Sequence, residues 1–456
     1  MRAKIVRMID RRTVVAGLAA AALPSAARAA VPNASPISAL GLDAAHFGVR
    51  PGAPDDQTAA LQRAIDQAAA ARAPLGLAPG VYRAGDLMLP AGAQIVGIRG
   101  ATRLVSTRGR PLFTAAQASG VTLSGLVLDG AGARLPERLG VVALMNGRDA
   151  RVIDCTIVAS GGHGISLEGV AGEIAGSTVA DAADVGIISF EAKGLTIARN
   201  IVRNAANNGI QILRNVAGED GTMVLDNRIE DIRNVLGGTG QWGNGVNAHR
   251  AGNVIVRGNR IRNCAFSAVR GNSAWAIEIV GNSCSGLGEV ALYSEFSFEG
   301  AIIANNTVDG ALIGVSVANF NEGGRLAVVQ GNIFRNLARH AGQTEEENGI
   351  GIYVEADTAV TGNVVENAEF AGIMAGWGRY LRDVTVTGNV VRSSAIGVAV
   401  SVVPGAGGAV IADNMITGSR RGAILGMDQL QVITEDLTKS GAARYAQLAI
   451  TGNRVN

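Results

Sequence analysis

The sequence predicts an all-β chain wound as a right-handed parallel β-helix, a solenoid of at least eleven coils behind an amino-terminal helical cap. Three observations carry that prediction. A motif of the form Gly-apolar-x-apolar, with Ala twice in the Gly position, recurs eleven times between Gly164 and Gly422, mostly in steps of 22–25 residues. A second motif, an alternating apolar strand closed by Asn, repeats in step with it at Asn200, Asn227, Asn259, Asn282, Asn306, Asn332, Asn363, Asn389, Asn414 and Asn453. Glycine is abundant, 62 of 456 residues, while aromatics make up only 4%, a composition for many tight corners and a small-residue interior.

The physical argument runs from period to stacking. Alternation with period two means strand, and Gly or Asn at each strand end tolerates the left-handed corner conformation. A unit of about two dozen residues cannot bury its own apolar face, so neighbouring coils must supply the core. A leucine-rich repeat would need a leucine frame and a helix in each unit, and neither is present; collagen is excluded because no Gly-X-Y period exists. Parallel crossovers set the right hand. The Asn column is read as a structural ladder of amides.

Taken in order, residues 1–29 read as an export signal. Asp10-Arg11-Arg12-Thr13 precedes a short apolar run, Val14 to Leu23, and Ala27-Arg28-Ala29 offers a cleavage site. The paired arginines suggest the twin-arginine route, and hence a periplasmic or secreted protein. This leader holds six cationic side chains against Asp10, so a whole-chain charge of +2 hides a remainder that is a net three negative. No basic stripe is left for nucleic acid, and no second apolar segment suggests a membrane span in the mature protein. Residues 30–100 are read as cap and first strands, and 101–456 as the β-helix. The cap helix is expected over 55–72, with Asp55 or Asp56 as N-cap and Leu61, Ala64, Ile65 and Ala68 on its buried face. Cys155, Cys264 and Cys284 allow at most one disulfide and read as small buried residues.

Phe47, the run Asp55-Asp56-Gln57-Thr58, the helix, Ala78-Pro79-Gly80-Val81-Tyr82 and Leu89-Pro90-Ala91-Gly92 together resemble the opening of the pectate-lyase-like superfamily. The leader followed by Gly-Asn repeats is also similar to an uncharacterised family of twin-arginine-exported repeat proteins. The superfamily resemblance implies a right-handed parallel β-helix and a bias towards polysaccharides, without fixing an activity.

Side chains two and four places after each motif Gly are expected to face outward. The first column reads Gln211, Asn247, Arg270, Tyr293, Ser316, Gly351; the second reads Leu213, His249, Asn272, Glu295, Ala318, Tyr353. In-register stacking sets Asn247 beside Arg270 beside Tyr293, and His249 beside Asn272 beside Glu295. Two long steps, of 36 and 35 residues, insert 235–244 (with Trp242) and 337–348 before the Gly245 and Gly349 strands, as two walls of a groove. A walled polar floor is the default site, here for an acidic sugar polymer, spanning coils 245–318. Arg270 is expected to pair a uronate carboxylate, His249 or Tyr293 to act as base, and Tyr293 or Glu295 to return the proton. Gln211, Trp242, Asn247, Asn272 and Ser316 are expected to bind substrate, Trp242 by stacking. Hydrolysis fits less well, since Glu289 and Glu299 would have to reach in to supply a second carboxylate. The predicted function is therefore lyase or epimerase chemistry on a uronic-acid polymer; the alternative is a non-catalytic envelope or surface binding protein. Ser160-Gly161-Gly162-His163-Gly164 resembles the Gly-His-Gly element of polygalacturonases, but the rest of that pattern is missing and a turn role is expected. No cofactor fingerprint and no metal-ligand cluster is present in the sequence.

Overall fold

The computed structural model describes residues 41–338 and 349–456. The predicted leader and most of the second insertion lie outside the described residues. Each complete coil contributes three short strands, one per face. Val246–Gly252, Ile255–Arg257 and Arg260–Cys264 form one coil, and Val269–Asn272, Trp275–Val280 and Ser283–Leu287 the next. The third face is a sheet of 15 strands, from Gly80–Ala84 to Arg454–Val455, and the first two faces merge into a sheet of 29. At about 4.8 Å per rung the rod is roughly 65 Å long.

Alternation decides which residues form the core. Val246, Ala248, Val269, Leu292 and Val315 point inward and are fully buried, so Asn247 and His249, between and after the first two, stand outward. Ten Asn side chains stack at the corner between the second and third faces. Each side-chain Nδ2 donates to the next Asn Oδ1, as from Asn282 to Asn306 and from Asn306 to Asn332, both at 3.0 Å. The same Oδ1 also takes a backbone N–H from the rung before, for instance Asn282 N to Asn306 Oδ1 at 2.9 Å. The ladder runs from Asn200 to Asn453 and continues upstream through Ser177, whose backbone N–H donates to Asn200. Cys155, Cys264 and Cys284 are free and buried.

The cap is a helix, Thr58–Ala70, with Leu61, Ala64, Ile65 and Ala68 buried along with Thr58. Its N-cap is Gln57, not Asp55 or Asp56, but Asp56 still accepts the Thr58 N–H at 2.8 Å. One correction of register matters for the site. Gly351, not Gly349, is the equivalent of Gly314, because Ser316 pairs with Tyr353. Tyr353 therefore joins the column of Asn247, Arg270, Tyr293 and Ser316, two residues earlier in the strand pattern than the glycine spacing implied.

Candidate functional site

The strands Ile210–Glu219, Val246–Gly252, Val269–Asn272 and Val290–Glu295 lie side by side on the first face. Their register sets Gln211 beside Asn247, Asn247 beside Arg270, and Arg270 beside Tyr293. His249 pairs with Asn272 and Asn272 with Glu295 in the same ladders. These side chains line a cavity of about 600 Å³ with Trp242 on its wall.

Glu295 organises the floor. It is buried, and its two oxygens take Arg270 Nε at 2.6 Å, Arg270 Nη2 at 3.0 Å and Asn272 Nδ2 at 2.9 Å. A carboxylate has about four acceptor positions, and three donors from within the chain occupy Glu295. Glu295 thus holds its neighbours in place with most of its acceptor capacity used, a different part from the proton return expected of it. Arg270 is corrected too: its fork is already closed on Glu295, and Nη1 reaches Glu289 at 3.1 Å. Three of its five N–H groups are thus used within the chain, leaving two for a ligand. Burial works against the Arg270 charge, but Glu295 outweighs it, so the guanidinium holds its proton more firmly than usual.

The chain of bonds continues to His249. Because Asn272 Nδ2 donates to Glu295, its Oδ1 is the oxygen left to face His249 Nδ1, 3.2 Å away. An amide oxygen can only accept, so Nδ1 carries the proton and Nε2 is left a bare acceptor. Burial, then the Arg250 charge, push His249 below its ordinary value of 6.5, against the smaller opposing pulls of Asn272 and Glu295. Burial and then Glu295 and Glu289 push Tyr293 upward, so its hydroxyl stays protonated. The floor thus sets an imidazole with a free Nε2 in one cavity with a protonated phenol, Tyr293, over which the Arg270 guanidinium stacks 4.9 Å from the ring centroid.

The insertion before Gly245 closes one side. Asn247 Nδ2 and Asn208 Nδ2 both donate to Gln241 O at 3.0 Å, and Asn244 Nδ2 donates to Gly240 O at 2.8 Å. Gly240, with φ +128°, passes so close over Arg270 that a Cβ there would strike the guanidinium. Asn247, expected to bind substrate, thus spends its amide N–H on the wall. Its Oδ1 and the Oε1 of Gln211 are buried without a partner among the described residues.

A model of the family described as "Right handed beta helix region" matches residues 117–235 and 215–391. The chain belongs to the right-handed β-helix family. No curated protein matches the β-helix in sequence. Among solved structures, the A-module of the mannuronan C-5 epimerase AlgE6 from Azotobacter vinelandii is similar at 15% identity and a TM-score of 0.53, over 91% of this chain and 99% of that one. The amino-terminal fragment of bacteriophage Phi29 gene product 12 is similar at 14% identity and the same TM-score, over 85% and 68%. Both likenesses are of fold.

Sequence reasoning missed the aromatic pair Trp377 and Tyr380 beside the groove and left the reach of Glu289 and Glu299 open. Glu289, in the turn between Ser283–Leu287 and Val290–Glu295, does reach the site; Glu299 does not, and pairs with Arg325 at 2.6 Å. Ser316 faces a second cavity of about 390 Å³, which shares Glu289, Tyr293 and Asn319 with the first. His163 takes the turn role: its Nδ1 accepts the Val185 N–H at 3.3 Å. No group of three or more His, Cys, Asp or Glu that could hold a metal occurs among the described residues, nor does any helix long and apolar enough to cross a membrane.

Proposed function

We propose that this β-helix is an exported protein that binds an acidic polysaccharide along the groove and transfers protons at a uronic-acid unit, as a lyase or an epimerase. One observation carries the reading. The bonds from Glu295 through Asn272 leave His249 Nε2 as a bare base beside the same cavity as a protonated Tyr293. Removal of a uronate C5 proton needs such a base, and a second group to protonate either the leaving oxygen or the opposite face of C5. Charge that develops on the sugar carboxylate meets the two remaining Arg270 N–H groups. Trp242 offers a ring to a sugar face. Mannuronan C-5 epimerisation, the reaction for which the AlgE6 module is named, is of this chemical class. Two carboxylates do stand near one cavity, as hydrolysis requires, but the three donors on Glu295 leave it poorly suited as nucleophile or acid.

The test is incubation with polymannuronate, polygalacturonate and other acidic polymers. Ultraviolet absorbance follows unsaturated products, NMR follows inversion at C5, and a binding measurement runs alongside. Turnover by either readout supports the reading, provided that His249→Gln abolishes it. Binding without turnover favours the other reading, a non-catalytic envelope or surface protein; neither binding nor turnover removes both. Export is tested by fusing residues 1–29 to a reporter and replacing Arg11 and Arg12 with lysines, which should trap it in the cytoplasm.

A further inference from the structure

We propose that the second cavity is a stacking subsite for an uncharged sugar, so that the ligand is a mixed polymer in which a uronic acid neighbours neutral units. The inference rests on the polysaccharide reading above and specifies its substrate.

The column register creates the space. Tyr293 pairs with Ser316, and Ser316 with Tyr353. The two tyrosines are therefore two rungs apart, about 9.6 Å between backbones, with a small residue between them. Sugar rings stacked between two aromatic faces need a slot of that order. Ser316 is only 2% exposed and lines the same cavity. The lining completes an aromatic wall: Trp377 and Tyr380 face the same 390 Å³ space. They belong to a tight turn closed by backbone bonds in both directions, Trp377 N to Tyr380 O at 3.0 Å and Tyr380 N to Trp377 O at 2.9 Å.

That wall is braced before any ligand arrives. Ser401 Oγ donates to Gly378 O behind the turn. The Tyr380 ring meets Phe320 edge-on at 5.5 Å between centroids. Glu355 fixes both sides of the slot, accepting the Tyr353 hydroxyl at 2.6 Å and the Phe320 N–H at 2.8 Å. Rigid aromatic surface is what stacking on sugar C–H faces requires, because little side-chain entropy is lost on binding.

Charge separates the two halves of the groove. The first cavity contains the Arg270 guanidinium and His249 beside the carboxylates of Glu289 and Glu295. Among the described residues the second is lined by no Lys, Arg or His and contains the carboxylates of Glu289 and Glu355. A uronate there would be desolvated beside two carboxylates with no lining cation to offset the repulsion, whereas a neutral hexose meets no charge repulsion. From Gln211 to Tyr353 the floor crosses five rungs, about 24 Å, enough for several sugar units that reach both cavities at once.

Two measurements test this. Affinities are compared for gellan (a linear polymer of neutral sugars with a recurring glucuronate), for polymannuronate and for dextran. Intrinsic fluorescence is read in Trp242→Phe and Trp377→Phe proteins that both also carry Trp275→Phe, so that each keeps only the indole of one half-groove. The expected result is at least ten-fold tighter binding of gellan than of polymannuronate. Gellan should perturb the emission of both single-indole proteins, polymannuronate only that which retains Trp242. Trp377→Ala should cut gellan affinity about ten-fold and leave polymannuronate affinity unchanged, with thermal unfolding confirming an intact fold. Equal affinity for the two acidic polymers, or no effect of Trp377→Ala on either, overturns the neutral subsite while the groove stands. Loss of polymannuronate binding together with gellan binding in Trp377→Ala also overturns it, since the halves would then not be distinct. No binding of any of the three polymers by the wild type removes the underlying groove as well.

Discussion

His249 keeps a bare Nε2 only for as long as Asn272 presents its oxygen, and Asn272 does so only because its Nδ2 donates to Glu295. Replacing His249 with Gln should lower turnover on a uronate polymer by roughly 10²–10⁴-fold, the usual worth of a general base, with polymer affinity within a few-fold of wild type. The pH dependence follows from sign. The neutral form acts, and burial lowers the His249 pKa below 6.5, so the acid limb of kcat/KM should have its midpoint below that value. A midpoint above 6.5 would mean that another group titrates. The Arg270–Glu295 pair makes a different prediction. Both side chains are less than a tenth exposed, so Arg270→Ala strands a buried carboxylate, and urea unfolding should show a loss of about 3–5 kcal/mol. Arg270→Met combined with Glu295→Leu should recover part of it, as the uncompensated charge is gone; a double variant less stable than Arg270→Ala would contradict that account.

The Asn corner strands and the first-face strands were legible in the sequence for the same reason: both impose a fixed residue type at a fixed step, Asn for the ladder and Gly, twice Ala, where the coils leave room for little or no side chain. Mid-ladder Asn306 holds Ile279 O at 2.8 Å as well as Asn332 and the rung before it. Its replacement by Ala leaves several buried partners unmet, each worth about 1–3 kcal/mol. Terminal Asn453 is only partly buried, and nothing follows it in the ladder. Asn306→Ala should therefore lower the melting temperature clearly more than Asn453→Ala, and equal shifts would show that the ladder is not cooperative. The steps failed where the pattern had no unique anchor. Gly349 and Gly351 both suit the corner, and because they differ by two residues the apolar run Ile350, Ile352, Val354 fits either; only the strand pairing decides between them. The Trp377–Tyr380 turn stayed hidden, and the reach of Glu289 stayed open, because both sit in connections, which carry no period. The columns did bring His249, Asn272 and Glu295 together, but a column fixes neighbours and not bonds: whether an arginine awaits a ligand or is already paired depends on side-chain reach, which spacing does not encode.

At the scale of the rod, stability is a sum over neighbouring coils, and the two ends are treated differently. The amino-terminal end is closed by the helix Thr58–Ala70, which buries Leu61 and Ile65 almost completely. The carboxy-terminal end has an antiparallel hairpin, Gly422–Asp428 with Gln431–Asp436, whose second strand alternates between exposed and half-buried. The last strands, Leu448–Thr451 and Arg454–Val455, have no buried residue. A coil with one neighbour and little buried apolar area opens at low free-energy cost, whereas the groove coils have neighbours on both sides and fully buried Val246, Val269 and Val315. Native-state hydrogen exchange should therefore grade along the rod. Amides of 448–455 should exchange fastest among the strands, and those of 246–317 slowest, at or near the rate of global unfolding. Leu61→Ala should cost about 2–5 kcal/mol and shift fast exchange to the first coils, because it opens the protected end. Protection that is uniform to Val455 would mean that the carboxy-terminal face is covered in solution, and the rod would then be one part of a longer assembly.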